Sequence, residues 1–264
     1  MQTTLTRTLS LRVTIVCALA LTGGLANAQT PNVQIIPAAR QVTAGEGSFS
    51  LSRDTRVTLA DSRSSEDRFA AQDFIDDVKA TADVSLSLGK GKSRREILIG
   101  RIDLPPIAQL LKQTNVEAQP TLTDEGYVLL ATTDRVIVAG KTATGTFYGL
   151  QTLKQLVRGK GATAFVPAVK IVDWPTMRWR GISDDISRGP VPTVDYIKRQ
   201  IRNLAFFKMN MHSFYMEHTF ASGSHPLIGP AGGSLAPGNS RAGRLRAPLS
   251  RRAGSRTTDI RSSP

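Results

Sequence analysis

The segment that decides the fold is Asp173-Trp174-Pro175-Thr176-Met177-Arg178-Trp179-Arg180-Gly181-Ile182-Ser183-Asp184-Asp185-Ile186-Ser187-Arg188. It holds both tryptophans of the 264-residue chain, with three arginines and three aspartates. Pro175 favours extended backbone at Trp174 and removes a backbone donor, which is typical of a corner between two structural units. The residues from Trp179 to Ile186 predict a short strand, with Gly181 where another backbone can approach closely.

The same segment carries candidate binding residues. Arg180 lies near one end of the predicted strand, and Asp184 and Asp185 lie near the other. A guanidinium is a rigid fork of donors that suits vicinal hydroxyls or a carboxylate. Two interpretations follow from the residues alone: Arg180 binds a ligand, or it forms a structural ion pair with the aspartates.

Residues 29–172, upstream of this segment, predict an α/β sandwich domain. Alternating or continuous apolar runs predict strands, and apolar residues at helical spacing predict helices over Ser65–Ala80 and Thr144–Val157. The predicted order is strands, helix, strand, hairpin, helix and strand, which indicates helices covering one face of a mostly antiparallel sheet. The predicted strands are Gly47–Leu51, Arg56–Leu59, Glu96–Gly100, Tyr127–Ala131, Arg135–Ala139 and Ala164–Val172.

Residues 1–28 are predicted to be a secretory signal peptide. They have Arg7 and Arg12 near the start, an apolar run over 13–21, and the small-residue cleavage site Ala26-Asn27-Ala28. We therefore expect a secreted or periplasmic protein without stable membrane insertion after cleavage; the alternative is an uncleaved anchor helix. Cys17 is the only cysteine, so the mature chain would have no disulfide, no cysteine metal site and no thiol nucleophile.

Residues 173–236 predict the start of a second domain. Thr193 is a suitable helix N-cap, and the apolar residues from Val194 to Phe207 follow at three- and four-residue steps. Met211–Met216 predicts a second strand. A strand, a helix and a strand within this length favour a parallel βαβ unit.

Residues 237–264 form an Arg/Gly/Ser/Pro-rich tail without an aromatic residue, which is expected to be disordered. The tail carries +6 and residues 1–28 carry +2, so +5 of the formal +13 remains for residues 29–237. The folded part is thus only mildly basic, and no nucleic-acid partner is expected. The tail could bind an anionic surface, act as an interaction tail, or be an out-of-frame translation after a frameshift.

The motif Asp173-x-Pro175-x-x-x-Trp179-Arg180-Gly181, followed by Asp185-x-Ser187-Arg188, resembles the opening of the catalytic barrel in glycoside hydrolase family 20, the β-N-acetylhexosaminidases. Four further short motifs, in matching order and spacing, resemble the non-catalytic domain that precedes this barrel in the family. They are Ile35-Ile36-Pro37, Ile97-Leu98-Ile99-Gly100, Glu125-Gly126-Tyr127 and Gly145–Leu153. The implied fold is an α+β sandwich domain followed by the first strands and helix of an incomplete (β/α)8 barrel.

The resemblance implies substrate-binding residues at this barrel. It implies that Arg180 holds hydroxyls of the terminal sugar, with Asp185 and Glu217 as further candidates. Active-site residues of barrel enzymes lie at the carboxyl ends of the barrel strands. Asp184, Arg188 and His218 are therefore further candidates, because they lie at or after such strand ends. Glu217 and His218 depart from the usual family pattern of a histidine and paired aspartates, and the alternative is that they form a solvated loop pair.

A family 20 enzyme uses an adjacent Asp-Glu pair after the fourth barrel strand. The glutamate is the general acid, and the aspartate orients the substrate's 2-acetamido oxygen, which is the nucleophile. The only Asp-Glu in this chain is Asp124-Glu125, in the first domain. We therefore expect no catalytic residue, no metal and no cofactor in these residues, and a carbohydrate partner that contains N-acetylhexosamine.

Three functional hypotheses remain at this point. The first is a truncated, inactive β-N-acetylhexosaminidase-like hydrolase that would act on terminal N-acetylhexosamine of glycans or chitin oligosaccharides. The second is a non-enzymatic carbohydrate-binding or adaptor protein built on residues 29–172. The third is nucleic-acid binding through the tail, which would be steeply salt-dependent.

Overall fold

The computed structural model describes residues 33–89, 93, 95–116, 122–188, 192–217, 225 and 227. The predicted signal peptide, His218 and the predicted tail lie outside the described residues. Among the described residues, no helix has the length and apolar character needed to cross a membrane. The strands are β1 (Gln41–Ser50), β2 (Arg56–Leu59), β3 (Ser87–Leu88), β4 (Glu96–Arg101), β5 (Tyr127–Ala131), β6 (Arg135–Gly140), β7 (Phe165–Asp173), β8 (Gly181–Asp185) and β9 (Met211–Tyr215). The helices are α1 (Ser65–Ala82), α2 (Pro105–Gln113), α3 (Ala143–Leu156) and α4 (Val194–Phe206).

Helix α1 begins where the sequence predicts. The Ser64 hydroxyl accepts a 3.1 Å hydrogen bond from the Asp67 amide, which satisfies one of the free donors of the first turn. Phe74 and Val78 of the predicted apolar stripe are fully buried. Phe69 differs from the prediction because it lies half-exposed beside a cleft that separates α1 from α4.

The main sheet has seven strands in the order β1-β7-β5-β6-β4-β2-β3. Its first three pairings are antiparallel, and the pairs β6–β4, β4–β2 and β2–β3 are parallel. The expectation of a mostly antiparallel sheet was therefore wrong. Helix α1 connects the end of β2 to the start of β3. Because this crossover returns the chain to the end of the sheet at which β2 begins, β3 runs parallel to β2.

Helices cover both faces of this sheet, and not one face as predicted. Helices α1 and α3 pack on the face that contains Val57, Ile97 and Leu129. Helix α2 packs on the opposite face through Ile107 and Leu111. The sequence analysis missed α2, although Pro105 and Pro106 at its first positions are a recognised helix start.

Strands β8 and β9 form a separate parallel pair, and α4 connects them. The predicted βαβ unit is thus present. Thr193 is the N-cap of α4, because its hydroxyl accepts a hydrogen bond from the backbone amide of Tyr196. Gly181 faces Met211 across the pair, and a Cβ built on it would lie 2.0 Å from the Met211 carbonyl oxygen. The close approach predicted at Gly181 is confirmed.

Candidate functional site

The carboxyl ends of β8 and β9 bring polar side chains together. Asp185 lies opposite Tyr215 in the register of the two strands. The Asp185 carboxylate accepts bonds of 2.9 Å from the Ser187 amide and 2.6 Å from its hydroxyl, and the Arg188 Nε lies 3.9 Å away. The Ser187 hydroxyl is the main cause that lowers the pKa of Asp185 below its usual value. Asp185 is therefore an ionised acceptor at neutral pH.

Glu217 belongs to the same end of the sheet. It follows β9, and its Oε1 accepts a 2.8 Å hydrogen bond from the Tyr215 hydroxyl. This bond raises the pKa of Tyr215 and keeps the phenol protonated. Two of the three predicted substrate-binding residues, Asp185 and Glu217, are thus placed at one edge, beside a phenol and a guanidinium.

The two adjacent aspartates of β8 serve different surfaces. Successive side chains of a strand point to opposite faces, so Asp184 and Asp185 diverge. The Asp184 Oδ2 accepts a 3.1 Å hydrogen bond from the side-chain amide of Gln200 in α4. The Asp184 side chain therefore lies on the face of β8 that packs against the helix. Asp185 faces away from α4, on the side that remains open in the described residues.

Arg180 lies at the opposite end of β8 from Asp185, directly before the first residue of the strand. Its guanidinium donates to the carbonyls of Met177 (2.7 Å) and Lys208 (2.9 Å), and to Glu125 Oε2 (2.5 Å). The guanidinium also lies over the ring of Tyr148, 5.6 Å from its centroid. These contacts match the structural ion-pair interpretation in kind, but the partner is Glu125 and not an aspartate.

Glu125 connects the two sheets. One carboxylate oxygen binds Arg180, and the other accepts a 3.1 Å bond from the Asn210 side chain just before β9. The Asn210 side chain also accepts a 2.9 Å bond from the Arg180 amide. The sequence analysis did not predict the contact between Glu125 and Arg180, because no local pattern records a pairing between residues 55 positions apart.

A second, fully buried cluster lies beside this ion pair. The Tyr127 hydroxyl donates to Asp173 Oδ2 at 2.8 Å and lies 2.6 Å from the Thr152 hydroxyl. Lys208 Nζ donates to both the Tyr127 hydroxyl (3.0 Å) and Asp173 Oδ2 (3.2 Å). Tyr127 is buried in the core, and its hydroxyl adds a polar role that no local sequence pattern revealed.

Burial changes the protonation behaviour of this cluster. It lowers the pKa of Lys208, although the neighbouring Asp173 opposes the change. Burial, with the adjacent Asp173, raises the pKa of Tyr127 well above its usual value. These groups are held by one another and do not face an open surface, so the cluster is suited to joining elements and not to binding a ligand.

Within the described ranges, no group of three or more His, Cys, Asp or Glu side chains is arranged to hold a metal ion. The arrangement at the carboxyl ends of β8 and β9 offers two carboxyl groups, a phenol and a guanidinium. Such groups hydrogen-bond hydroxyls, which is the chemistry that a sugar presents.

Comparison with known proteins identifies the family. Residues 32–174, more than half of the chain, match the model of glycosyl hydrolase family 20, domain 2. A beta-hexosaminidase of Porphyromonas gingivalis is 30% identical over 193 residues, which is 70% of this chain and 22% of that protein. A beta-N-acetylhexosaminidase of Cellulomonas fimi is 38% identical over 89 residues, which is 33% of this chain and 18% of that protein.

Solved structures show the same relationship. A mutant Streptomyces plicatus beta-hexosaminidase in complex with the product GlcNAc matches with a TM-score of 0.60 at 25% identity, over 75% of this chain and 38% of that chain. The family 20 beta-N-acetylhexosaminidase of Streptomyces coelicolor A3(2) matches with a TM-score of 0.61 at 24% identity, over 78% of this chain and 41% of that chain. The present chain spans about a fifth of the two curated relatives and less than half of these solved chains. The chain belongs to glycosyl hydrolase family 20.

Proposed function

We propose that this chain is part of a β-N-acetylhexosaminidase-type glycoside hydrolase, and that its partner is a carbohydrate with a terminal N-acetylhexosamine. The observation that carries this proposal is the pair Asp185 and Glu217 at the carboxyl ends of two parallel strands, where barrel enzymes place their substrate groups. It is supported by the similarity to a beta-hexosaminidase whose structure holds GlcNAc.

In this proposal Asp185 and Glu217 accept hydrogen bonds from sugar hydroxyls. Arg180 has a different role, because its guanidinium is occupied by Glu125 and two carbonyls. We assign Arg180 to the junction between the sandwich domain, residues 29–172, and the barrel portion, residues 173–236.

We further propose that residues 1–264 alone do not hydrolyse glycosides, since no Asp-Glu dipeptide follows Asp185. Incubation of the pure chain with a chromogenic N-acetyl-β-glucosaminide should release no chromophore above the background. Robust release would contradict this proposal, because it would require an acid and an amide-orienting group that these residues do not supply.

Binding tests the site separately from catalysis. Ligand-observed NMR with GlcNAc should give a saturable signal with the unmodified chain and weaker binding, by roughly tenfold, with Asp185→Asn and Glu217→Gln. Asp134→Asn, in the turn between β5 and β6, is the matched control and should bind as the unmodified chain does. Equal binding by all four proteins would remove Asp185 and Glu217 from the proposed site.

The predicted signal peptide supports the proposal that the protein is secreted or periplasmic. Cell fractionation of the producing organism tests it, and N-terminal sequencing of the mature protein should begin at Gln29. Recovery of the protein in the cytoplasmic fraction with its first 28 residues intact would contradict the proposed location.

A further inference from the structure

Glu217 has an unusual backbone conformation just after β9. Its φ angle is 43°, in the left-handed region that residues with a side chain adopt infrequently. Such a conformation costs free energy and persists where the surrounding contacts hold it. The last residue of β9 is Tyr215, two positions before Glu217. A contact that holds Glu217 is therefore expected at the end of this strand.

The Tyr215 hydroxyl provides that contact. It donates a 2.8 Å hydrogen bond to Oε1 of Glu217, and this bond uses the only proton that a phenol can donate. Among the residues that the structure describes, the Glu217 carboxylate has no other hydrogen bond or ion pair. Its Oε1 is thus occupied by the phenol, and its Oε2 is left to accept a hydrogen bond from a ligand.

Tyr215 and the two candidate carboxylates share one face of the strand pair. Asp185 is the register partner of Tyr215 in the parallel pair of β8 and β9. Neighbouring strands lie about 4.8 Å apart, so the side chains of these partners are adjacent. They lie on the face away from α4, because the side chain of Asp184 occupies the opposite face, against the helix. The hydrogen bond to the phenol brings the Glu217 carboxylate to the Asp185 side of the strand end.

The charges of both carboxylates act on the phenol. The pKa of Tyr215 is raised chiefly by its hydrogen bond to Glu217 and next by the charge of Glu217. Burial and the charge of Asp185 contribute less to this increase in the pKa. The phenol therefore stays protonated at neutral pH and remains a donor to Glu217.

We propose that Tyr215 is a positioning residue for carbohydrate binding: its hydroxyl holds Glu217 beside Asp185, so that both carboxylates accept hydrogen bonds from hydroxyls of one sugar. This inference rests on the function proposed above. Asp185 is held in a comparable way, because the amide and the hydroxyl of Ser187 both donate to its Oδ1. Since Tyr215 acts through Glu217, its hydroxyl matters only where the Glu217 carboxylate is present.

Ligand-observed NMR with GlcNAc tests this role in a double-mutant cycle. Tyr215→Phe removes only the hydroxyl and should weaken binding by roughly three- to tenfold, the effect of about one hydrogen bond. In the Glu217→Ala background, the further change Tyr215→Phe should have no added effect, because the two residues act as a unit. Tyr196→Phe, which removes a hydroxyl from helix α4, is the matched control and should bind as the unmodified chain does.

A spectroscopic signal distinguishes positioning from packing. A ¹³C label at the ring carbon that carries the hydroxyl reports the protonation of each tyrosine. The chain has four tyrosines, so the signal that is lost in Tyr215→Phe belongs to Tyr215. This signal should titrate above the ordinary pKa of about 10 in the unmodified chain, and nearer to that value in Glu217→Ala.

The outcomes separate this inference from the proposed function. If Glu217→Ala binds GlcNAc more weakly and Tyr215→Phe binds it as the unmodified chain does, the positioning role is overturned and the proposed function stands. Equal binding by the unmodified chain and Glu217→Ala would overturn both. Equal losses on Tyr215→Phe in the two backgrounds would show that the phenol acts independently of Glu217. If Tyr215→Phe does not fold by circular dichroism, the titration decides, and four tyrosine signals that are unchanged in Glu217→Ala would reject the contact.

Discussion

The ion pair between Glu125 and Arg180 is one of the contacts that join the two sheets, and it is well shielded from solvent. The Arg180 and Glu125 side chains are 14% and 22% exposed, so the charges are only partly screened by water. Glu125→Gln removes the charge and places an amide donor beside a donor of Arg180 or Asn210. We expect the free energy of unfolding to fall by about 2 kcal/mol, within the range for hydrogen bonds to charged groups.

Denaturant unfolding followed by tryptophan fluorescence measures this effect, because Trp174 and Trp179 both lie between the two sheets in sequence. Glu96→Gln is the matched control: its partner Arg135 lies 3.4 Å away at a more exposed site. The control should lose less than about 1 kcal/mol, as exposed ion pairs do. Losses of equal size would show that the Glu125–Arg180 contact does not hold the two sheets together.

Lys208 predicts a pH dependence at the residue scale. Its pKa is lowered in the folded protein, chiefly by burial. Between that lowered value and the unfolded value of about 10.4, the unfolded chain binds more protons, so stability rises with pH in this window. Tyr127 has a raised pKa, so its contribution is present below about pH 10 and is lost at higher pH.

Denaturant midpoints measured from about pH 7 to pH 10 should therefore show a rise for the unmodified chain that is smaller in Lys208→Met. The variant should also be less stable at neutral pH, because Asp173 remains buried without its cation. Lys170→Met, which alters a half-buried lysine that donates only to the Asn115 carbonyl among the bonds found for it, should leave the slope unchanged. Parallel pH profiles for all three proteins would refute the role assigned to Lys208.

At the scale of elements, the spacing between β8 and β9 depends on Gly181. Its φ angle is not in the left-handed region, so space alone excludes a larger residue there. Gly181→Ala would force the Met211 backbone away and separate the strands. We expect a loss of roughly 1–3 kcal/mol, as in other overpacked sites, measured by the tryptophan-detected unfolding transition.

Ser183→Ala, an exposed position on the same strand, is the control for Gly181→Ala and should change stability by less than about 0.5 kcal/mol. Gly181→Ala with an unchanged transition would mean that the close contact with Met211 does not limit the pairing of the two strands.

At the scale of the whole molecule, the two sheets have unequal cores. The seven-stranded sheet has buried clusters on both faces, whereas in β8, α4 and β9 only Ile197 is buried. We expect residues 33–176 to unfold cooperatively on their own, with Asp173 retained because it binds the Tyr127 hydroxyl and the Arg40 amide. Residues 173–264 alone should give no cooperative transition, because their strand edges and apolar faces lack cover.

Thermal melts of the two fragments by circular dichroism test this difference. A cooperative melt of 173–264 would contradict the expected dependence on the sandwich domain. Failure of 33–176 to fold would show that the contacts of α3 with the second unit, such as Gln155 with the Phe206 carbonyl, are needed for the first domain as well.

The sequence by itself determined most of the helices and strands and the candidate residues Asp185 and Glu217. Their signals are local: Ser64 and Thr193 cap their helices, and Gly181 is the first residue of a strand that closely approaches its neighbour. The motif around Trp179-Arg180-Gly181 also identified the family, which the match over residues 32–174 confirmed.

Only the tertiary structure decided which strands are neighbours and what Arg180 contacts. The strands β6, β4, β2 and β3 are parallel because helical crossovers connect strands that are distant in sequence. One such crossover, α2, covers the second face of the large sheet. The partners of Arg180 and Lys208 are 55 and 35 residues away in the chain, so no periodicity or spacing records them. A side chain's role follows from the groups that folding brings to it, and at Arg180 those groups are a carboxylate and carbonyls of the protein itself.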